Sequence, residues 1–436
     1  MGAGPLPKPT PANHRIGRTS STRGRRAFTL VTEVDIAPRP PTKEEAVGQV
    51  NDNVRAGLLQ SGGLSSLAVG VWLRELHTET RHYIADIGQS DRTNMDALVS
   101  ALRGFGDEVV LLDLRSSMAA VASDLLKYRA RHDGGYWNTT GAARLVLVSE
   151  VAPLMRADGC RMLTHGCVGG GNDQRRFARY GPRIAPELPV IEPWTDPQAL
   201  ERFPDRETML KAVAEHGLPL DPGSGAERST DANLAGISHE SAELEDLATP
   251  VTRLQPRWSR WPEQAPAEPQ TVTVTFRDGR VADVNGSGPN PVAWMTRAND
   301  IGARHGVWLR DVVERRIIGT VCRGIYEAPG LELLERAWTR ILQASLDAAS
   351  RELYDRLAAG LGAAMYEARW LEPAARAARD AIDRLVGEIS GSVTLSVHRG
   401  IARVEGMTVD SRVVQQTRFG SGGNRWSSGL EGESDA

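Results

Sequence analysis

The first residues whose types suit chemistry are Ser61-Gly62-Gly63, which follow the short apolar run Gly57–Leu59. An amphipathic stretch comes next, with Leu67, Val71 and Leu73 among its apolar positions. That order reads as strand, glycine turn, helix. Adjacent glycines let the backbone take positive φ and admit a ligand where a Cβ would otherwise stand. The start of the helix offers unpaired N–H groups and the positive end of its dipole, which suit a phosphate. Ser61, Ser65 and Ser66 add hydroxyls able to bond phosphate oxygens or to cap the helix. The competing reading is an ordinary strand-to-helix turn that needs glycine. No Gly-Lys-Ser/Thr follows, so this is not a Walker A loop, and it is not a Rossmann fingerprint.

A second chemical stretch runs from Thr164 to Phe177, THGCVGGGNDQRRF. Its glycines would let the backbone wrap around a small polar ligand, while Asn172, Asp173 and Arg176 could read amines and carboxylates. A flexible surface loop is the alternative. Farther along, Cys322-Arg323-Gly324-Ile325-Tyr326-Glu327-Ala328-Pro329-Gly330 has no regular period and mixes charge, an aromatic ring, Gly and Pro. It reads either as a site-lining loop or as structural ion pairs.

The elements that must position these residues alternate in type. Strand candidates Ala56–Leu59, His82–Ile87, Glu108–Leu112, Leu145–Leu147, Met162–Thr164 and Pro189–Ile191 are separated by helical segments. Such alternation predicts an α/β fold with a parallel sheet covered on both faces. Ligands then lie beyond the carboxyl ends of the strands, where both glycine stretches and Asp86-Ile87-Gly88-Gln89 fall. A second domain is expected from His216. In it, Ser229–Leu234 and Ile237–Glu240 look turn-like, and 248–270 resembles an exposed connection. Thr271–Phe276 and Arg280–Val284 form a hairpin. Pro291–His305 is a helix, as is the Ala-, Leu- and Arg-rich stretch from Leu331 to Gly387, and Ser390–Val404 is a terminal hairpin.

Length and charge bound the rest. The 436 residues suffice for two or three domains, and a net charge of -3 argues against nucleic acid or membrane as the partner of the whole chain. No apolar run approaches the roughly 18 residues of a membrane helix. Three cysteines, Cys160, Cys167 and Cys322, lack metal-ligand spacing and point to a reduced, cytoplasmic compartment. Residues 1–46 are rich in Pro, Arg, Ser and Thr and read as a disordered basic arm, or as an electrostatic contact for a partner.

Taken in order, these motifs resemble argininosuccinate synthase from about residue 55 to 400. SGGLSS (from Ser61) is similar to that family's pyrophosphatase-type ATP loop, SGGLDTS, and YIADIGQ (from Tyr83) to its second nucleotide loop. YWNTTGAAR (Tyr136–Arg144) resembles the citrulline segment. THGCVGGGNDQRRF, STDANLAGISHE, DVVERR and CRGIYEAPG match four more motifs in the same order. The resemblance implies a nucleotide-binding domain of the ATP-pyrophosphatase (adenine nucleotide alpha hydrolase-like) type over 47–215 and an α+β synthetase domain over 216–386. It implies a C-terminal helical arm as part of the fold, and over 387–436 a C-terminal oligomerisation arm and disordered tail. It further implies ligation with ATP and Mg²⁺ in a homotetramer: a ureido oxygen attacks the α-phosphate, pyrophosphate leaves, and an amine then displaces AMP.

Carried over residue by residue, the ATP set is Leu59, Gln60, Ser61, Gly62, Gly63, Leu64, Ser65, Ser66, Leu67, Ala85, Thr164, His165 and Gly166. The ureido set is Tyr136, Asn172, Arg176, Ser229, Ser238, Glu314 and Tyr326, and the amine set is Val168, Asn172 and Asp173. Asp173 and Arg176 are the catalytic candidates, and no protein metal ligand is implied. Several positions depart from the family pattern. Ser65 stands for an acidic residue, Leu67 and Gly141 for serines, Val168 for the threonine that bonds aspartate's carboxylate, and Gly170 for a lysine. Leu309 and Val321 stand where basic residues are usual, and EGMT (Glu405–Thr408) replaces Gly-Arg-x-Ser. One lost charge-assisted hydrogen bond costs about 1.5–3 kcal/mol. The departures therefore lead to the expectation of a ligase that couples a ureido group, citrulline or an analogue, to an amine other than aspartate. The alternatives are the ordinary arginine-biosynthetic enzyme and a catalytically silent homologue.

Overall fold

A four-residue strand, β1 (Ala56–Leu59), is buried along its whole length, and the N-terminal half is laid around it. The structure is a computed structural model that describes residues 54–89, 95–133, 135–219 and 228–410. The basic segment 1–46 and the Gly/Ser-rich stretch from Gly420 lie outside the described residues, as do the side chains of Arg228, Ser229 and Ala242. After β1 come α1 (Leu64–Glu75), β2 (Thr80–Asp86), α2 (Met95–Gly104), β3 (Glu108–Asp113) and α3 (Arg115–Lys127). A short ribbon, β4 (Arg131–His132) and β5 (Tyr136–Trp137), leads into α4 (Thr139–Ala157). Then follow β6 (Met162–His165), α5 (Asn172–Ile184), β7 (Val190–Ile191), α6 (Pro197–Arg202) and α7 (Arg206–Glu215).

The five long-sheet strands run in the order β3-β2-β1-β6-β7, and every pairing is parallel. The chain therefore leaves β1 first to one side and later returns on the other. The crevice beyond the carboxyl ends of β1 and β6 is the topological switch point, where such sheets bind ligands. Burial explains the layering. α1 buries Leu64, Leu67, Ala68, Val71 and Trp72, and α4 buries Ala142, Ala143, Val148, Val151 and Met155. Helices thus cover the sheet, as a parallel sheet requires.

The second half begins with β8 (Arg228–Asn233), β9 (Gly236–Ser241) and the single turn α8 (Ala242–Glu245). It continues through β10 (Gln270–Arg277), β11 (Arg280–Val284), α9 (Pro291–Arg304), β12 (Leu309–Arg315) and β13 (Val321–Glu327). It ends with α10 (Pro329–Ser345), α11 (Ala348–Tyr366), α12 (Pro373–Val386), β14 (Gly391–His398) and β15 (Ile401–Val409). Two four-stranded sheets result, β12-β13-β9-β8 and β11-β10-β14-β15. In the latter, Val272, Val274 and Phe276 of β10 and Val393, Leu395 and Val397 of β14 are buried at every second position. Phe276 meets Trp338 of α10 at 5.1 Å between ring centroids, so the helical stretch closes over this sheet.

The α/β reading stands, with local differences. Leu145–Leu147 belongs to α4, not to a strand: Asn138 caps that helix by accepting from Gly141 N at 3.0 Å, and a buried helical run is apolar in the same way as a buried strand. Ser229–Asn233 and Ile237–Glu240 are strands, because ladder pairing overrides their polar composition. DVVERR and most of CRGIYEAPG pair as β12 and β13. The terminal hairpin read at Ser390–Val404 is β14–β15, with β14 also hydrogen-bonded to β10 of the same chain, and the helical stretch precedes it. Within 248–270, Leu254 and Ser259 are buried, so this connection is partly packed.

Candidate functional site

The turn after β1 is held by its own polar groups. Gly62 takes φ +79°, a conformation in which side chains are strained. Its N–H donates to Gln60 Oε1 at 3.1 Å, and Gly63 N donates to Ser61 Oγ at 3.3 Å. The Ser66 hydroxyl lies within reach of Gln60 Oε1, of Gly63 O at 2.9 Å and of Ser61 Oγ at 3.0 Å. Gly63 begins α1 without a side-chain cap, and the first turn holds no acid, so the dipole end is left for an anion. The loop after β6 presses on the same helix. A Cβ on Gly166 would stand 2.5 Å from Ser66 N and 2.6 Å from Ser66 Cβ, so only glycine lets β6 and α1 approach this closely.

Together these loops border a cavity of about 660 Å³. Leu59, Gln60, Ser61, Gly62, Gly63, Ala85, His165 and Gly166 of the nucleotide set line it. Leu64, Ser65, Ser66, Leu67 and Thr164 do not: Leu64, Ser66, Leu67 and Thr164 are buried behind it, and Ser65 is half-buried. His165 is buried against Phe177, its ring stacked at 4.5 Å, and its Nδ1 accepts from Cys167 N at 3.3 Å. Burial pushes its pKa down to about 4, so it is a neutral ring at physiological pH.

α5 carries the charged half of the site. Asp173, in its first turn, receives Arg176 Nη1 at 2.8 Å and Arg144 Nη2 at 2.7 Å, and Arg144 also reaches Asp231 at 2.9 Å. Burial alone would raise the Asp173 pKa, but the two guanidiniums outweigh it and hold the carboxyl below its ordinary range. Asp173 is thus an ionised tether, strongly acidic for a general base. Arg176 also donates from Nε to the backbone oxygen of Tyr366 at 3.0 Å and lies 5.0 Å over the Tyr366 ring. Asn172 donates to the Tyr366 hydroxyl at 2.9 Å and accepts from Ile317 N at 3.0 Å. One amide hydrogen and one lone pair then remain for a ligand.

The remaining ureido-set residues converge on Glu314. Tyr136 and Tyr326 each donate a hydroxyl to its carboxylate at 2.6 Å, and their rings stack 3.9 Å apart. Burial, reinforced by this carboxylate, raises both phenol pKa values well above normal, keeping them as neutral donors. Gly324 makes the arrangement possible: a Cβ there would stand 2.7 Å from Tyr326 Cζ. Ser238 Oγ lies 3.4 Å from Thr140 Oγ1. Ser229 is placed in β8, its side chain outside the described residues. Val168, of the amine set, is 54% exposed on the loop before α5.

Three side chains at this cluster and cavity escaped the sequence reading. Arg144 lines the cavity and ties it, through Asp173, to Arg176. It ended a quoted motif, and an arginine amid the Ala/Val face of a buried helix was the available signal. Tyr366 organises Asn172 and Arg176 and stacks on His132 at 3.7 Å. Nothing marks it in a long helical stretch. Arg257 lines the cavity from the segment taken as an exposed connection.

Among the described residues no group of three or more His, Cys, Asp or Glu could hold a metal ion, and no helix is long and apolar enough to cross a membrane. Among solved structures, the chain is similar to the U34-tRNA thiolase NcsA from Methanococcus maripaludis with its [4Fe-4S] cluster, at 13% identity and a TM-score of 0.28. That match covers 42% of this chain and 62% of the thiolase, and so spans less than two thirds of it. So distant a likeness carries no argument. The family models are another matter. The arginosuccinate synthase N-terminal HUP domain matches residues 55–219, which hold the glycine turn and the parallel sheet. The arginosuccinate synthase C-terminal domain matches residues 228–419, which hold Glu314 and Tyr326. With both halves matched in order over the elements that build the site, the chain belongs to the argininosuccinate synthase family of ATP-dependent ligases.

Proposed function

We propose that the protein adenylates a ureido group, citrulline or an analogue, with release of pyrophosphate, and then couples it to an amine other than aspartate with release of AMP. The observation that carries this reading is the chain of ion pairs from the nucleotide cavity to the acceptor cluster: Arg144, Asp173 and Arg176 in series. A ureido oxygen held beside Arg176 would sit next to the cavity where the α-phosphate belongs, and holding two reactants in line is the main catalytic demand of such a step. The buried Glu314, faced by two phenols, offers an acidic partner for an ammonium group of the acceptor.

The nucleotide would bind against the uncapped α1 terminus, and the uncapped N–H groups and the positive-φ glycine beside them support this reading. Mg²⁺ would ride on the phosphates, with Asp231 as the one carboxylate among the described lining residues. Bound there, it would neutralise phosphate charge. The altered amine rests on the loop before α5, which shows the exposed apolar Val168 and three glycines, Gly169 to Gly171, with no cation ahead of Arg175. A second carboxylate on the nucleophile would find no charged partner on that loop.

Pyrophosphate release from Mg-ATP tests the proposal, measured with citrulline alone, with added aspartate, and across a panel of amines. Release with citrulline alone, stimulated by another amine and little by aspartate, is the expected result. Robust stimulation by aspartate would establish the ordinary activity, which the retained Asn172 and Asp173 favour. No release under any condition would overturn the reading.

A further inference from the structure

The second half of the proposed reaction needs a base, and most carboxylates of the site are already engaged. An amine is mostly an ammonium in neutral water and cannot attack until it loses a proton. Asp173 is held by Arg176 at 2.8 Å and by Arg144 at 2.7 Å, and its pKa lies below the ordinary range. Asp231 pairs with the same Arg144 at 2.9 Å. Glu314 accepts the Tyr136 hydroxyl on one oxygen and the Tyr326 hydroxyl on the other, each at 2.6 Å. His165 of the cavity has its pKa at about 4, which makes it a weak base at neutral pH.

Glu240, in β9, is placed differently. It ends the STDANLAGISHE stretch, and strand pairing sets it on the sheet face that carries the acceptor residues. Ser238 pairs with Asp231 on one side and Tyr326 on the other, while Glu240 pairs with Ser229. Residues two apart on a strand share a face, so Glu240 stands with Ser238, Asp231 and Tyr326, the last of which bonds Glu314. Its Oε2 lies 3.3 Å from Arg316 Nη2, which is also 3.7 Å from Glu245. Its Oε1 has no hydrogen-bond partner among the described residues. Arg316 is followed by Ile317, whose N–H is held by Asn172, so the pair abuts the amine set. The Glu240 side chain is 52% exposed, which lets solvent reach it. Partial burial, reinforced by Asp173, Asp231 and Glu314, pushes its pKa above the ordinary carboxylate value, while Arg316 pulls it down. A carboxylate made more basic in this way takes a proton from nitrogen more readily.

We infer that Glu240 is the general base of the coupling step, taking the proton that an entering ammonium must lose. This rests on the proposed adenylation. The N–H proton passes to Glu240 Oε1, and the freed lone pair bonds to the adenylated ureido carbon. The C–O bond to AMP then breaks with its electron pair on the AMP oxygen, which takes the second N–H proton. Glu240 returns its own proton to solvent through its exposed side. Arg316 is a positioning residue: it holds the carboxylate by Oε2 and leaves Oε1 for the amine.

The test is single-turnover AMP release by the full chain, given Mg-ATP, citrulline and one of two nucleophiles at several pH values. One is the best basic amine of the panel above, and the other is hydroxylamine, which is already unprotonated at neutral pH. Glu240→Gln should lose about a hundred-fold or more with the basic amine and far less with hydroxylamine. Glu240→Ala should regain rate with the basic amine when formate is added. In Arg316→Gln the acid limb of the coupling rate should move to higher pH, because the cation that lowers the Glu240 pKa is gone. A carboxylate that only pairs with Arg316 would affect both nucleophiles alike. Equal losses with the two nucleophiles, or no loss in Glu240→Gln, would overturn the inference while leaving the ligase reading standing. Should Glu240→Gln fail to fold, the Arg316→Gln profile decides, and an unmoved limb would overturn the inference. A parent chain that releases no pyrophosphate, or couples no basic amine, would overturn both.

Discussion

Asp173 and His165 sit within one loop and helix turn of each other and answer burial in opposite ways. Asp173 keeps its charge because two guanidiniums meet it, whereas His165 has no such partner and gives its charge up. The consequence for stability has a definite sign. His165 titrates near 6.5 when unfolded and at about 4 when folded, so the unfolded chain binds the proton more readily between these values. Stability is therefore lost as pH falls from about 6.5 to 4, by on the order of 3 kcal/mol from this residue. Denaturant titrations at several pH values should show that loss in the parent chain and a flatter profile in His165→Asn, whose Oδ1 can still accept from Cys167 N. Equal profiles would mean that His165 is not the titrating group. Part of this cluster was legible as a set of residues before their placement was known. Asn172, Asp173 and Arg176 drew notice because polar residues after a glycine run at a strand end have few structural reasons to be there. What the residue types could not reveal is that Asn172 and Arg176 are shared with Tyr366, roughly 190 positions away along the chain.

Among the elements, α4 shows how one substitution propagates. Gly141 stands where the family has a serine, and its missing Cβ makes room for the Asn138 side chain, whose Cγ would lie 2.9 Å away. That side chain is the cap of the helix. Gly141→Ser alone should therefore destabilise the protein by about 1–3 kcal/mol through overpacking, and Asn138→Ala by about 1 kcal/mol through the lost cap. The double variant should lose less than the sum, because the clash disappears with the amide. A urea double-mutant cycle checks this, and strict additivity would show that the two positions are uncoupled. Elements were read from the sequence where one period dominated, as in the parallel strands and the β10–β11 and β14–β15 hairpins. They were misread where tertiary pairing decides. Residues 229–240 are polar enough for turns, yet their ladder partners make them strands, and the apolar run at 145–147 fits either period.

For the whole molecule, the terminal hairpin matters most. β14 lies between β10 and β15, and its buried face completes the core beneath α10. A chain ending at Gly387 would leave β10 as an open edge with Val272, Val274 and Phe276 uncovered. Such a truncation should be insoluble or lack a cooperative thermal transition, whereas a chain ending at Asp410 keeps the entire described sheet and should melt cooperatively. A folded, soluble product of the shorter truncation would show that the hairpin is dispensable. The switch from alternating β/α segments to hairpins was readable in the sequence. The closure of the cavity by residues of the second half was not, because it depends on contacts between distant turns.

One of those contacts has a consequence for how the cavity empties. Leu234, in the turn between β8 and β9, donates its backbone N–H to Ile87 O at 2.8 Å, immediately beyond β2 and on the rim of the cavity. Its own carbonyl is held by Asn299 at 2.8 Å. Separation of the Leu234 turn from the end of β2 would break the first bond and expose the Leu234 amide to exchange with solvent. If nucleotide binds in the cavity as proposed, that single amide reports on its residence. Its deuterium uptake should slow when Mg-ATP is added, and an unchanged rate would mean that nucleotide enters and leaves without the halves parting.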